Sequence, residues 1–405
     1  MNRSPNGPSG SAARSRGLNP SSSTRLGLYY IAAYAGTGVS LPFIATYFRS
    51  KGLTGAEIGL ILAVPMLLRP LTGPALAVWA DGFTLRRTPL AWLGVGAAAG
   101  YALLLAAPGF WGLLACWMVG ATLLATLTPL IDVIALRRSR LEGFNYGLPR
   151  GAGSVGFIAA NLAMGAILSV VAPQVIPVWI TAAALLSALV AVTLLPTDRV
   201  REDGAAPVRA DRWKGLGGLL RNRTFLLAVA TAGLIQGAHA FYYGFSALLW
   251  RQQGISAPTI GVLWGVGVAV EVGFMWFMEP WRRRVGPERL LVLGAGAAVL
   301  RWIVMAMAPP LWVLFPLQAL HALTFAASFM ASLRLIEKLT PSESASAAQA
   351  INSALSGGLV LGLGTLAAGP LYDALGARGY LVMAAMAVLG LVGALRLVRG
   401  RLDLA

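Results

Sequence analysis

A succession of twelve apolar runs constrains this chain more than any other feature, because each approaches the ~20 residues that carry a helix across bilayer hydrocarbon. The runs fall at 26–48, 57–80, 89–107, 110–136, 147–171 and 175–195, then at 224–249, 257–280, 288–308, 311–337, 346–370 and 379–398. A backbone inside lipid must satisfy its own polar groups, and within one segment only a helix does so. Charged residues make up 12% of the chain and hydrophobic ones 57%, whereas a soluble domain carries about 25% charged residues. These observations predict an all-α, multi-pass membrane protein of 12 transmembrane helices.

The remaining segments set the boundaries. Residues 1–24, rich in Ser, Pro, Gly and Arg, read as a disordered tail. The apolar run after Arg25 exceeds a signal-peptide core and lacks a small-residue cleavage pattern, so it is read as the first crossing. A six-helix bundle is expected over 25–195, a basic linker over 196–223, a second bundle over 224–398 and a short tail over 399–405. With this layout, and with Arg289, Arg334 and Arg396 at the ends of crossings counted with the adjoining loops, 25 of the 32 basic residues lie on the side of the two termini, 4 on the other side and 3 inside crossings. An excess of Lys and Arg marks the cytoplasmic face, so both termini are expected in the cytoplasm and the protein in the inner membrane. The net charge of +17 then reflects orientation in the lipid bilayer, and no nucleic-acid partner is expected.

The two halves repeat at an offset of 202: Phe48-Arg49-Ser50-Lys51-Gly52-Leu53-Thr54 with Ile58-Gly59 matches Trp250-Arg251-Gln252-Gln253-Gly254-Ile255-Ser256 with Ile260-Gly261. Trp79 then falls on Trp281. An even number of crossings per half keeps the copies parallel, the arrangement of carriers in which two bundles rock about a shared central site.

Ionisable groups at membrane depth cost roughly 2.5–3.5 kcal/mol each on insertion scales, and so are functional candidates. In the first half these are Arg69, Asp132 and Arg150; in the second, His239, Glu271, Arg301 and His321. Arg69 falls on Glu271 at the repeat offset, so a pair across the halves is possible. Each intramembrane charge also has a structural reading, as one member of a neutralising pair that fixes helix register. Gln236, His239 and Tyr242 share one helical face, as do Gln318 and His321, and polar faces of this kind line cavities. Arg150 offers a planar fork to a carboxylate, either Asp132 or a substrate acid. Asp81 precedes Arg86 and Arg87 in the loop between the second and third crossings, where it can meet the loop arginines or helix-terminal amides and gate one conformation.

Several enzymatic and metal chemistries lack their residues. One Cys and two His hold no metal site, and neither a phosphate-binding G-x-x-x-x-G-K-[ST] loop nor an H-E-x-x-H pair occurs. Gly151-Ala152-Gly153-Ser154-Val155-Gly156 satisfies the dinucleotide pattern, yet it opens a lipid-length helix with no preceding strand, and its glycines are read as sites of close helix packing. No enzyme activity and no cofactor are expected.

The Asp81…Arg86-Arg87 spacing resembles the loop signature of the major facilitator superfamily. Gln236-Gly237-Ala238-His239-Ala240-Phe241-Tyr242-Tyr243-Gly244-Phe245-Ser246-Ala247 resembles helix 7 of the 3-phenylpropionate transporter family, and Tyr146-Gly147…Arg150…Gly153-Ser154-Val155, Arg301-Trp302 and Gln318…His321 fit the same family. The resemblance extends over about residues 25–398. More distantly the chain is similar to the lactose permease and other oligosaccharide–proton symporters. That likeness implies substrate contact at Asp132 and Arg150 and proton coupling around Glu271, Arg301 and His321. The permease has a proton-site carboxylate where this chain has Thr324, so the proton is expected on Glu271, with His321 or His239 as relay.

The reading is a secondary transporter importing a small organic acid, with an aromatic acid such as 3-phenylpropionate as the example, together with protons. Asp132, Arg150, Arg69, His239 and Tyr242 are expected to bind substrate, and no obligatory protein partner is expected. Exporters or nucleoside or sugar carriers of the same fold remain open, as does a non-transporting receptor, because cargo is set by sites grafted onto a shared fold.

Overall fold

The computed structural model describes residues 20–200, 216–341 and 344–402. The first half contains α1 (Ser22–Ser50), α2 (Gly55–Ala80), α3 (Arg87–Leu103), α4 (Gly109–Glu142), α5 (Gly147–Ile167) and α6 (Val175–Thr193). After a short α7 (Leu216–Arg221), the seventh crossing is split into α8 (Arg223–Gly237) and α9 (Ala240–Gln252). Then come α10 (Ala257–Phe277), a short α11 (Glu279–Val285) and α12 (Pro287–Ala306). The tenth crossing joins α13 (Leu311–Ala319) through a π-helical turn, Ala322–Ala327, to α14 (Ser328–Lys338). The eleventh joins α15 (Ala345–Asn352) through a second π-helical stretch, Ser353–Val360, to α16 (Leu361–Leu375), and α17 (Tyr380–Leu402) is the twelfth. Among the described residues, nine helical stretches are long and apolar enough to cross a membrane; Ala347–Gly400 holds two crossings, and α3 and α5, of 17 and 21 residues, complete the twelve. Large apolar side chains such as Trp111 and Trp312, 75% and 76% exposed, cover the outer surface, as a lipid-facing wall requires.

The repeat is written into local geometry. Thr54 caps α2 through the Glu57 N–H, and Ser256 caps α10 through the Thr259 N–H, at the offset of 202 found in the sequence. The turns before them place Gly52 and Gly254 at φ +84° and +82°, a left-handed backbone that glycine adopts without a Cβ penalty. Packing repeats as well: α3 lies against α6 as α12 lies against α17.

The halves meet along α2 with α16, α5 with α10, and α1 with α9. These contacts are closest at the end remote from the termini. A Cβ on Gly59 would lie 2.9 Å from Gly369 Cα, and one on Gly261 would lie 2.8 Å from the Asn161 carbonyl oxygen. Asp373, on α16, also accepts from the Gly55 and Ala56 N–H groups at 2.9 and 2.8 Å, which places a carboxylate on the positive end of α2. Toward the other end the halves diverge around a cavity of about 1020 Å³, lined from Ile44, Tyr101 and Trp117 to Asp81, Arg86 and Val200. The chain therefore stands open on the side of its termini.

Several boundaries differ from the sequence reading. Helix α1 begins at Ser22, inside the segment read as a disordered tail, because the Ser21 hydroxyl accepts from the Thr24 N–H and caps it; residues 1–19 lie outside the described residues. The linker starts as an ordered strap: the Arg86 N–H donates to the Asp198 carbonyl at 2.8 Å, the Val200 N–H donates to the Thr84 carbonyl at 3.0 Å, and Arg138 pairs with Asp198. Near its far end the linker forms α7, while 201–215 lie outside the described residues. Helix α17 runs to Leu402, into the segment read as the final tail. The seventh crossing breaks at Ala238–His239, where the His239 imidazole bonds the Ile235 and Gln236 carbonyls and so takes acceptors that the helical ladder would use.

Candidate functional site

A run of small residues brings the first polar cluster together. A Cβ on Gly156 would lie 2.7 Å from the Ile31 carbonyl oxygen and one on Gly153 would lie 3.1 Å from the Tyr34 ring, so only a glycine-bearing face lets α5 settle this close to α1. Arg150 is thereby laid over the Tyr34 and Tyr30 rings, 4.6 and 5.6 Å from their centroids. The Tyr30 and Tyr146 hydroxyls donate to Asp132 Oδ1 at 2.5 and 3.0 Å, and Arg150 Nε stands 4.0 Å from the same oxygen. Asp132 and Arg150 are thus brought together as expected, but through a loose ion pair whose carboxylate is held mainly by tyrosines. Tyr30 and Tyr34, unremarked in the sequence reading, carry a signal of their own: two phenols at i, i+4, which share one helical face.

The second cluster is buried deeper. Arg301, at 0% exposure, donates through Nη1 to His321 Nδ1 and Thr324 Oγ1, both at 3.1 Å, and through Nη2 to Gln318 Oε1 at 3.0 Å. Its guanidinium stacks on Tyr242 and Trp302 at 4.7 and 4.6 Å. These contacts fix the histidine tautomers. A guanidinium only donates, so His321 Nδ1 accepts and its proton lies on Nε2, 3.5 Å from Glu271 Oε2. At His239, Nδ1 donates to the carbonyls of Ile235 and Gln236, 3.1 and 3.2 Å away, so Nε2 accepts from the Thr324 hydroxyl at 3.0 Å. Thr324 therefore bridges His239 and Arg301, a role that the sequence did not disclose. Both histidines stand where helical geometry changes, His239 between α8 and α9 and His321 at the start of the π-helical turn, and such turns concentrate at functional sites.

Glu271 links the two clusters. Its side chain is 16% exposed on α10, facing His321 from its own half, and the positive charge of Arg150 reaches it from the other half. The Arg69–Glu271 pair suggested by the repeat is not formed. Arg69 instead faces the cavity from α2, and no hydrogen bond or ion pair joins it to another of the described residues.

His239 and Tyr242, expected to bind substrate, do not line the cavity. They are 0% and 1% exposed, and their polar atoms are taken up by Thr324, backbone carbonyls and, for the Tyr242 hydroxyl, Gln318 Oε1 at 2.8 Å. The expected gating contact is also absent here. Arg86 Nη2 donates to the Val200 carbonyl at 3.0 Å and Arg87 Nη1 to that of Leu195 at 3.2 Å, so both hold the linker strap. Asp81 stands exposed at the cavity mouth. In the second half Glu279, just after α10, pairs with Arg282, Arg283 and Arg334. The Arg283 guanidinium, with those of Arg334 and Arg282, holds the Glu279 carboxyl below the usual carboxylate range. Among the described residues, no group of three or more His, Cys, Asp or Glu could hold a metal ion.

Comparison with known proteins agrees with this architecture. Residues 23–382 match the model of the MFS_1 like family. The chain is 32% identical over 376 residues to the probable 3-phenylpropionic acid transporter of Escherichia coli (strain K12), covering 90% of this chain and 96% of that protein. It is 28% identical to the maltose permease of Geobacillus stearothermophilus, covering 85% of this chain and 86% of the permease. Among solved structures, a point mutant of the nucleoside transporter NupG superposes with a TM-score of 0.83 at 16% identity, covering 93% of this chain and 100% of that one. A bacterial homologue of the lysosomal transporter Spinster superposes with a TM-score of 0.69 at 18% identity, covering 92% and 95%. The chain belongs to the MFS_1-like family: it is a multi-pass membrane transporter of the major facilitator fold, and not an enzyme.

Proposed function

We propose that this chain is a proton-coupled importer of a small organic acid, seated in the inner membrane with both termini in the cytoplasm and working by alternating access. The observation that carries the reading is the position of Glu271, a carboxylate at the interface of the halves, between Arg150 of one and the His321–Arg301 network of the other. A carboxylate in a low-dielectric site exchanges its proton according to which cation faces it. Rocking of the halves changes the distance from Arg150 to Glu271, and so couples proton uptake and release to the open side. His321, with its proton on Nε2 toward Glu271, is the relay; Arg301 holds it in that tautomer, and Thr324 accepts from Arg301. Asp132 and Arg150 orient the cargo when their loose pair opens. His239 and Tyr242 serve as positioning residues behind the site.

The cargo class draws support from the relative described as a probable 3-phenylpropionic acid transporter. Relatives that include a maltose permease and a tetracycline resistance protein mean that membership alone does not select cargo, so the charges of this chain's own site must. The present form, open toward the termini, is the state that releases cargo to the cytoplasm. On closure of that end, Asp81 meets a partner that it lacks among the described residues here.

The test is uptake of labelled 3-phenylpropionate into proteoliposomes with and without an inward proton gradient, against protein-free liposomes. Saturable accumulation that needs the gradient is expected, and Glu271→Gln should lose accumulation while still exchanging cargo. Uptake at the protein-free level would reject the cargo, and uphill uptake by Glu271→Gln would remove Glu271 from the coupling.

A further inference from the structure

Three arginines lie at membrane depth, and their circumstances differ. Arg150 is stacked on two tyrosines and faces Asp132, and Arg301 donates to three side chains and stacks on two rings. Arg69 has neither kind of compensation: no charged group acts on it, and no hydrogen bond or ion pair joins it to another of the described residues. It lies halfway along α2, with its side chain exposed to the cavity. Among the described residues that line this cavity, the other charged groups are Asp81 and Arg86, both at the mouth, and Arg86 donates to Val200. The cavity wall is mostly apolar, with Leu62, Pro65, Met66 and Pro70 close to Arg69 in sequence, and its other polar groups away from the mouth are neutral hydroxyls such as those of Ser40, Thr72 and Thr122.

An uncompensated cation at this depth is costly, and a ligand anion would offset that cost. A cavity with one interior cation and apolar walls matches one negative charge on an apolar body. A neutral sugar leaves the guanidinium uncompensated, and a dicarboxylate brings a second charge with nothing to meet it. We infer that Arg69 is the residue that anchors the carboxylate of an apolar monocarboxylate, and that it sets the preference for acids over their neutral analogues and over dianions. This rests on the reading of the chain as an organic-acid carrier and adds to it the residue that selects charge. Arg150, loosely paired with Asp132, then orients the anchored cargo and communicates with Glu271.

The experiment titrates the purified full-length protein with 3-phenylpropionate and 3-phenylpropionamide, hexanoate and hexanamide, and phenylsuccinate, by calorimetry and thermal shift. The wild type is expected to bind each monocarboxylate at least tenfold more tightly than its amide and more tightly than the dianion. Arg69→Gln should abolish that ratio while changing amide affinity less than threefold, with an unaltered ligand-free melting temperature; Arg69→Lys should retain part of the preference. Arg69→Met, apolar and therefore well tolerated at this depth, provides the same comparison should the Gln variant fold poorly. An undiminished acid preference in both the Gln and Met variants would overturn the role of Arg69 and leave organic-acid transport standing. A wild type that prefers no acid to its amide would overturn both.

Discussion

The two halves of this transporter descend from one pattern and treat charge in opposite ways. In the first half the polar groups are half-buried and loosely held: Asp132 shares one oxygen between two phenols, Arg150 stands 4.0 Å away, and Arg69 has no partner among the described residues. In the second half Arg301 is fully buried, and with His239, His321, Thr324, Gln318 and Tyr242 it forms a continuous hydrogen-bonded block. The interfacial loops show the same contrast, with Asp81 exposed at the mouth and unpaired among the described residues, and Glu279 tied to three arginines. A loose half can exchange its partners during a cycle, whereas a tight half keeps a proton-bearing group in one orientation. Under the proposed function, this contrast assigns binding and release to the first bundle and proton handling to the second.

Four substitutions would break or sharpen that contrast. The largest effect is expected at the junction, where Glu271→Gln should reduce gradient-driven accumulation to the level of simple equilibration with exchange retained, as read by paired uptake and counterflow assays. Next, Thr324→Val removes the bridge and strands His239 Nε2 and one Arg301 donor in a buried site, which should cost about 1–3 kcal/mol in unfolding free energy. Thr324→Ser should restore it; equal melting temperatures for wild type and the Val variant would show that the block is not the rigid element described. Arg150→Lys keeps the charge and loses both the planar fork and the stacking on Tyr34, so cargo affinity should fall roughly 2–30-fold, the equivalent of about 0.5–2 kcal/mol. Unchanged affinity would separate Arg150 from the cargo altogether. The smallest effect concerns Glu279. Because its folded-state carboxyl is held below the unfolded value of about 4.3, the stability that it contributes is present above that pH and is lost as pH falls through the depressed value. Glu279→Gln should flatten the acid limb of a melting-temperature profile over that window, and an unaltered limb would show the loop cluster to be inert.

Much of the fold was legible in the chain because lipid imposes its requirement on every crossing separately. Apolar length located all twelve helices, and the offset of 202 located the turn glycines and capping hydroxyls that both halves share. What apolar length could not show was the irregularity within a crossing. The break at His239 depends on an imidazole reaching back to two carbonyls, and the π-helical turns leave no mark on apolar length. The site divided along the same line. Intramembrane charge alone marked Asp132, Arg150, Glu271, Arg301 and His321, and the structure brings them together. Thr324 was missed as a bridge because a buried hydroxyl is inexpensive and has no charge to betray it. His239 and Tyr242 were placed on the cavity because a polar helical face looks the same whether it borders water or a neighbouring helix.

At the closed end, the rows that carry Gly59, Gly369, Gly165 and Gly261 meet backbone to backbone. Within these four rows small residues let backbone approach backbone, so few side chains interlock there. The rows work as plain bearings, in contrast to interlocking gears. Opening this end then breaks the two N–H bonds to Asp373 and parts the apolar cluster that both halves share. A bulky residue in any of these four rows would act as grit, slowing the swing of the halves with little effect on how either half folds.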